Sequence, residues 1–191
     1  MRDAIVLVGM VACMTGSAFA VEQNAKEPST LGAAASEKTG KPKTPTYLNI
    51  SSPKRPGAIV PESMGKDFTV SQTKFGPVTG YFTPTNQQID KFESGLIKWL
   101  KNTKSDPEGR TKELATRLVK ERSGYRTQYL GVISGGRKVL HANFFFSSEE
   151  MRFEDWLTRP IVVKDGGNNF FAVEYDVEKN AYLSIMINGE A

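Results

Sequence analysis

The sequence closes on FFAVEYDVEKNAYLSIMINGEA, two runs in which apolar and polar side chains alternate on either side of a short charged turn. Alternation with period two is the pattern of a strand with one buried face, and a one-residue slip would turn that face to solvent. Phe171, Val173 and Tyr175 stand in step with Leu183, Ile185 and Ile187 across the turn from Asp176 to Asn180, which predicts an antiparallel pair. Tyr182, Ser184 and Met186 are expected on the other side of the last strand. A sheet with an apolar face needs an apolar cover, and this requirement organises everything upstream.

The cover is a helix. Thr85 and Gln88 have the spacing of a capping box, in which a hydroxyl and an amide satisfy two free backbone donors at a helix start. Behind them Ile89, Phe92, Leu96 and Trp99 draw one apolar stripe, with Asp90, Lys91, Glu93 and Lys98 turned away. A second, shorter helix is predicted from Asp106 as cap and Pro107 in the first turn, through Leu114 and Leu118, to a stop at Gly124. Its exposed side carries Arg110, Lys112, Arg117, Lys120 and Arg122.

After Gly124 the period changes. YRTQYLGVI and KVLHANFFF flank Ser134-Gly135-Gly136-Arg137 and read as a hairpin around a glycine turn. SSEEMRFEDWLTRP reads as an insert with a turn of helix at Phe153-Glu154-Asp155-Trp156. Strand character returns at Ile161-Val162-Val163 and breaks at Lys164-Asp165-Gly166-Gly167-Asn168, where the glycines suit a turn with positive φ. The expected fold is α+β: an N-terminal amphipathic helix packed on a four-stranded antiparallel sheet, in a single domain over residues 67–191 with order beginning near Phe68.

What precedes that domain has a different character. Residues 1–20 read as an export signal, with Arg2 near the terminus, an apolar stretch from Ala4 to Ala12, and Ala18-Phe19-Ala20 as the cleavage site. Thr15-Gly16-Ser17 interrupt the apolar run that a membrane anchor would need, and a competing lipoprotein reading uses Val11-Ala12-Cys13. Cys13 is the only cysteine, so a processed chain makes no disulfide and is expected to be stable by burial alone. Residues 21–66, rich in Ala, Gly, Ser, Thr, Pro and Lys, are expected to form a disordered or extended tether in which Tyr47-Leu48-Asn49-Ile50 is the one candidate edge strand. The net charge of +4 lies mainly in this tether, where Lys41, Lys43, Lys54 and Arg55 offer weak contact with an anionic envelope surface. The later segment is close to neutral, which argues against nucleic acid as a partner.

The order of YFTPT before a helix, YRTQYLGV and HANFFF as a hairpin, a Trp-bearing insert, VVKDGGNNFFAVEYDVEKNAY and a terminal NGEA resembles an uncharacterised family of small exported bacterial proteins. The likeness covers about residues 80–191. One helix followed by four antiparallel strands is also similar to cystatin-like and NTF2-like folds. The resemblance implies the fold and export and carries over no catalytic residue.

The chemistry-bearing residues exclude more than they propose. One histidine, His141, stands inside a strand, so a two-histidine metal cluster is ruled out, and no Gly-x-Ser-x-Gly elbow accompanies it. No cofactor is expected. Glu149, Glu150, Glu154 and Asp155 cluster in the insert and leave open a carboxylate-dependent hydrolase, a reading that requires a cleft with two facing carboxyls. The favoured reading is a non-catalytic binding or interaction module of the envelope, periplasmic or secreted, taking an envelope protein or small ligand. Its expected surface is Tyr125, Arg126, Gln128, Tyr129, His141, Asn143, Phe145, Trp156, Asn168 and Asn169, lining the open side of a curved sheet. The bland competitor is that the aromatics simply fill a core on both sides of that sheet.

Overall fold

The glycine pair at 135–136 sets the geometry of the sheet. Both residues have positive φ, 55° and 72°, which the tight hairpin turn requires and which a side chain would resist. The turn joins β5 (Tyr125–Ser134) to β6 (Arg137–Phe146), paired in unbroken register from Tyr125 opposite Phe146 to Ser134 opposite Arg137. The computed structural model describes residues 46–50, 55–104, 109–148 and 152–189. Its other elements are β1 (Leu48–Ile50), β2 (Gly57–Ile59), β3 (Gln72–Thr73), β4 (Gly76–Phe82), α1 (Asn86–Asn102), α2 (Arg110–Glu121), β7 (Phe170–Asp176) and β8 (Ala181–Ile187).

The protein is α+β with a mostly antiparallel sheet. Strands β5, β6, β7 and β8 follow one another across it, and β2 and β4 share the far edge of β5, β2 running parallel along residues 127–129 and β4 antiparallel along 131–134. Two expectations are thereby corrected. The helices are not N-terminal, since four strands precede α1, and among the described residues the sheet has eight strands rather than four. The ordered chain also begins well before residue 67. Tyr47, Ala58, Ile59, Val60 and Met64 are buried, and the expected edge strand at 48–50 is β1. These short apolar patches have no period of their own; they become ordered by adding to the edge and outer face of a sheet built from distant residues. Residues 1–45, including the expected export signal, Cys13, Lys41 and Lys43, lie outside the described residues, as does Lys54.

Both helices cover one face, here the inner face. The capping box forms as expected, with the Thr85 hydroxyl accepting from the Gln88 backbone N–H and the Gln88 side chain accepting from the Thr85 N–H. The buried stripe of α1 is Ile89, Phe92, Leu96 and Leu100; Trp99 lies beside it, stacked on Tyr182 at 4.8 Å, because a step of four continues the buried face where a step of three drifts off it. Phe92 sits at the centre, 5.6 to 6.3 Å from the rings of Tyr129, Phe144, Tyr175 and Tyr182. On α2, Thr111, Leu114, Ala115 and Leu118 are buried, and the helix starts after Gly109 in the left-handed region; Asp106 and Pro107 lie outside the described residues.

Two further differences concern the end of the chain. A bulge between Glu174 and Tyr175 shifts the phase of β8, so that Tyr182, Ile185 and Ile187 face the helices and Leu183 turns to the outer face. Residues 161–163 form no strand. They run extended over the outer face, and the insert before them is a pair of hydrogen-bonded turns rather than helix.

Candidate functional site

The outer face of the sheet is built in cross-strand rows. Arg126, Gln128 and Leu130 of β5 stand beside Phe145, Asn143 and His141 of β6, which stand beside Phe170, Ala172 and Glu174 of β7; Met186 and Ser184 of β8 complete the last two rows. Two covers lie on this face. The first brings Tyr47, Met64 and Phe68 onto Leu130, Val132 and Val139. The second, residues 153–163, brings Phe153, Trp156 and Ile161 onto Phe145 and Phe170.

Gln128 and Asn143 hold the second cover in place. The Gln128 amide donates to the carbonyls of Trp156 and Arg159 at 2.7 and 2.8 Å and its oxygen accepts from the Ile161 N–H at 3.0 Å. Asn143 donates to the Ile161 carbonyl at 2.9 Å. Side-chain amides thus supply the bonds that a neighbouring strand would otherwise give residues 159–161, which is why an apolar β-branched segment lies across the sheet and not in it.

The two covers leave a gap over β6, β7 and β8, a groove of about 350 Å³ walled by residues 68–72 and 161–163 and floored by His141, Asn143, Ala172, Glu174 and Met186. Ala172 gives the floor its depth, because its neighbours in the row are the longer Asn143 and Met186. Met186 and Val162 are 64% and 65% exposed and present apolar surface at the groove.

His141 is 8% exposed, and its Nδ1 is sealed from solvent without a hydrogen-bond partner. Burial pushes its imidazole down to about 4, so the ring is neutral at pH 7. Beside it the half-buried Glu174 carboxylate accepts from the Ser184 hydroxyl at 2.9 Å and from the Lys74 backbone N–H at 3.3 Å. The row His141, Glu174, Ser184 contains the residue types of a hydrolytic triad without the triad's hydrogen-bond order. The hydroxyl donates to the carboxylate in the middle, and the imidazole is left with neither an orienting partner nor a proton to take.

Of the ten residues expected to form one surface, the groove gathers two, His141 and Asn143. Tyr125 and Tyr129 are buried on the inner face, under the helices. Tyr125 donates to the Asn168 carbonyl at 2.9 Å, and Asn168 and Asn169 lie in the short 3-10 turn Gly167–Asn169 that leads into β7. Gln128 is fully buried as a clamp, and Phe145 and Trp156 belong to the aromatic cluster with Phe153 and Phe170. Arg126 donates to the Ser123 carbonyl and borders a second, shallow depression with Arg152, Phe153, Glu154 and Trp156. Glu154 and Asp155 are exposed on the insert, Asp155 pairing with Arg159 at 2.8 Å, while Glu149 and Glu150 lie outside the described residues. Arg55 is exposed.

One buried network escaped the sequence pattern altogether. Glu93, expected on the solvent side of α1, has a side chain only 6% exposed and accepts from the Tyr129 hydroxyl at 2.6 Å and from the Arg122 guanidinium at 2.9 Å. Arg122 also reaches the Thr127 hydroxyl and the Tyr125 carbonyl, so it is no part of the exposed basic side of α2. Burial, with the Glu93 carboxylate adding to it, holds the Tyr129 phenol well above its ordinary range. Two charges and two hydroxyls thus tie α1, the C-terminal end of α2 and β5 together at one point.

Among the described residues no group of three His, Cys, Asp or Glu side chains is placed to hold a metal ion, and no helix is long and apolar enough to cross a membrane. Comparison with protein families, with curated protein sequences and with solved structures gives no match to this chain.

Proposed function

We propose that this protein is an exported, non-catalytic binding module of the bacterial envelope, and that its ligand site is the outer-face groove. Export rests on the charged, apolar and small-residue pattern of residues 1–20, and the scaffold on a helical layer followed by four consecutive antiparallel strands, an order similar to cystatin-like domains. The observation that carries the reading is His141, a polar side chain more than nine-tenths buried, without a partner, at the floor of a groove edged by exposed Met186 and Val162. A buried polar atom left unsatisfied costs about 1–3 kcal/mol, a cost removed when the ring turns its Nδ1 toward a ligand in the groove that offers the missing hydrogen bond. The same isolation of the imidazole from Ser184 and Glu174 favours binding over hydrolysis.

A ligand that binds only the folded state raises its melting temperature. Ala172→Phe places a ring in the groove from a partly exposed floor position without entering the inner core. Adding a desalted small-molecule extract of the native envelope is expected to raise the melting temperature of the wild type and leave that of Ala172→Phe unchanged. An equal response of the two proteins counts against the groove as the site.

A further inference from the structure

We infer that the groove selects a small organic cation, a primary ammonium carried on an apolar body, with Glu174 and His141 as its two acceptors. The inference rests on the binding reading above and adds the chemistry of the ligand.

Glu174 is the only formally charged residue among the described residues that line the groove. Both of its hydrogen-bond donors, the Ser184 hydroxyl and the Lys74 N–H, are uncharged, and it has no ion-pair partner among the described residues. A half-buried carboxylate without a counter-charge repels an anionic ligand and favours a cation in a site of reduced dielectric. Its cross-strand neighbour is His141, whose imidazole is neutral and therefore retains a lone pair to accept an N–H. Two acceptors side by side on one row, one of them anionic, match the several donors of a single ammonium group. The remainder of the lining includes Phe68, Val70, Val163 and Met186, which suits an apolar body, and about 350 Å³ lies at the small end of ligand pockets.

The test compares three probes with one apolar body and different heads: 2-phenylethylammonium, 2-phenylethanol and phenylacetate. Affinity is read from the imidazole resonances of His141, which are unambiguous because the chain has a single histidine. The expected ranking places the ammonium about tenfold or more tighter than the alcohol, with phenylacetate weakest, and the ammonium preference falls as salt is raised. Glu174→Gln, which keeps an acceptor for Ser184 and Lys74, is expected to bring the ammonium down to the level of the alcohol, and Ala172→Phe to abolish binding of both. Equal affinity for all three heads, or a preference for phenylacetate, overturns the cation inference while loss in Ala172→Phe preserves the groove as a binding site. Probe responses that are the same in wild type and Ala172→Phe overturn both. Should Glu174→Gln fail to fold, the ranking of heads in the wild type decides alone.

Discussion

Replacing His141 by leucine separates the electrostatics of the groove floor from its packing. The ring is close to leucine in size and lies between Leu130 on one side and Glu174 on the other, so the substitution keeps the volume and removes the nitrogens. In the folded protein the imidazole is pushed down to about 4, against an ordinary value of 6.5. As pH falls below 6.5 the unfolded chain takes up the proton first, and the folded chain resists until about pH 4. The stability that this ring contributes is therefore complete above pH 6.5, declines between 6.5 and 4, and is gone below. Each pH unit in that window corresponds to about 1.4 kcal/mol, so the whole effect is about 3 kcal/mol. Urea denaturation of both proteins at intervals from pH 7.5 to 4 measures it, because the titrations of groups remote from the ring cancel in the difference. His141→Leu is expected to equal or exceed the wild type near neutrality, where the unpartnered nitrogen is relieved, and to gain about 3 kcal/mol relative to it by pH 4. A difference that stays constant across this range, or an imidazole resonance that titrates between pH 6 and 7, refutes the buried neutral ring.

Three other outcomes follow from the packing. Glu93→Ala leaves the half-buried Arg122 and the buried Tyr129 without their shared acceptor and is expected to cost about 3 kcal/mol in chemical denaturation, against about 1 kcal/mol for Tyr129→Phe. Truncation after Asn180 removes β8, and with it the Tyr182 hydroxyl on the Phe92 carbonyl and the ring stacked on Trp99; circular dichroism is expected to show loss of the cooperative melt. Gly131→Ala drives a Cβ into the Phe82 carbonyl oxygen, where β4 meets β5, and is expected to lower stability by about 1–3 kcal/mol by differential scanning calorimetry.

The parts of the fold that were legible are those whose partners are near in sequence. The capping box at Thr85, the glycine turn at 135–136 and the alternation of Phe171, Val173 and Tyr175 each depend on residues a few positions apart, and each is where it was expected. What the pattern missed depends on distant pairing. Residues 46–50 and 55–60 have no period of their own because they take their order from β5, and residues 161–163 look like a strand because their side chains are those of one, although Gln128 and Asn143 supply their hydrogen bonds. Glu93 carries a charge, which points to solvent, yet a half-buried Arg122 and a buried Tyr129 compensate it, which no helical spacing announces.

The candidate site fell between these cases. The alternation in HANFFF does put His141, Asn143 and Phe145 on one face, and that in FAVEYD puts Ala172 and Glu174 on one face. The phase between the two strands is set by a connection of more than twenty residues, so their meeting at one row is a property of the register alone. Nearness in sequence groups Tyr125 and Tyr129 with Arg126 and Gln128, which is misleading in a strand, where adjacent residues face opposite ways.

Methyl chemical shifts test the placement of the site most directly. With Ala172 and Met186 as reporters on the groove floor and the exposed Val119 on α2 as a reporter remote from it, titration with 2-phenylethylammonium is expected to shift the first two together with His141 and to leave Val119 still. Shifts at Val119 with a silent groove, or shifts that persist unchanged in Ala172→Phe, contradict it.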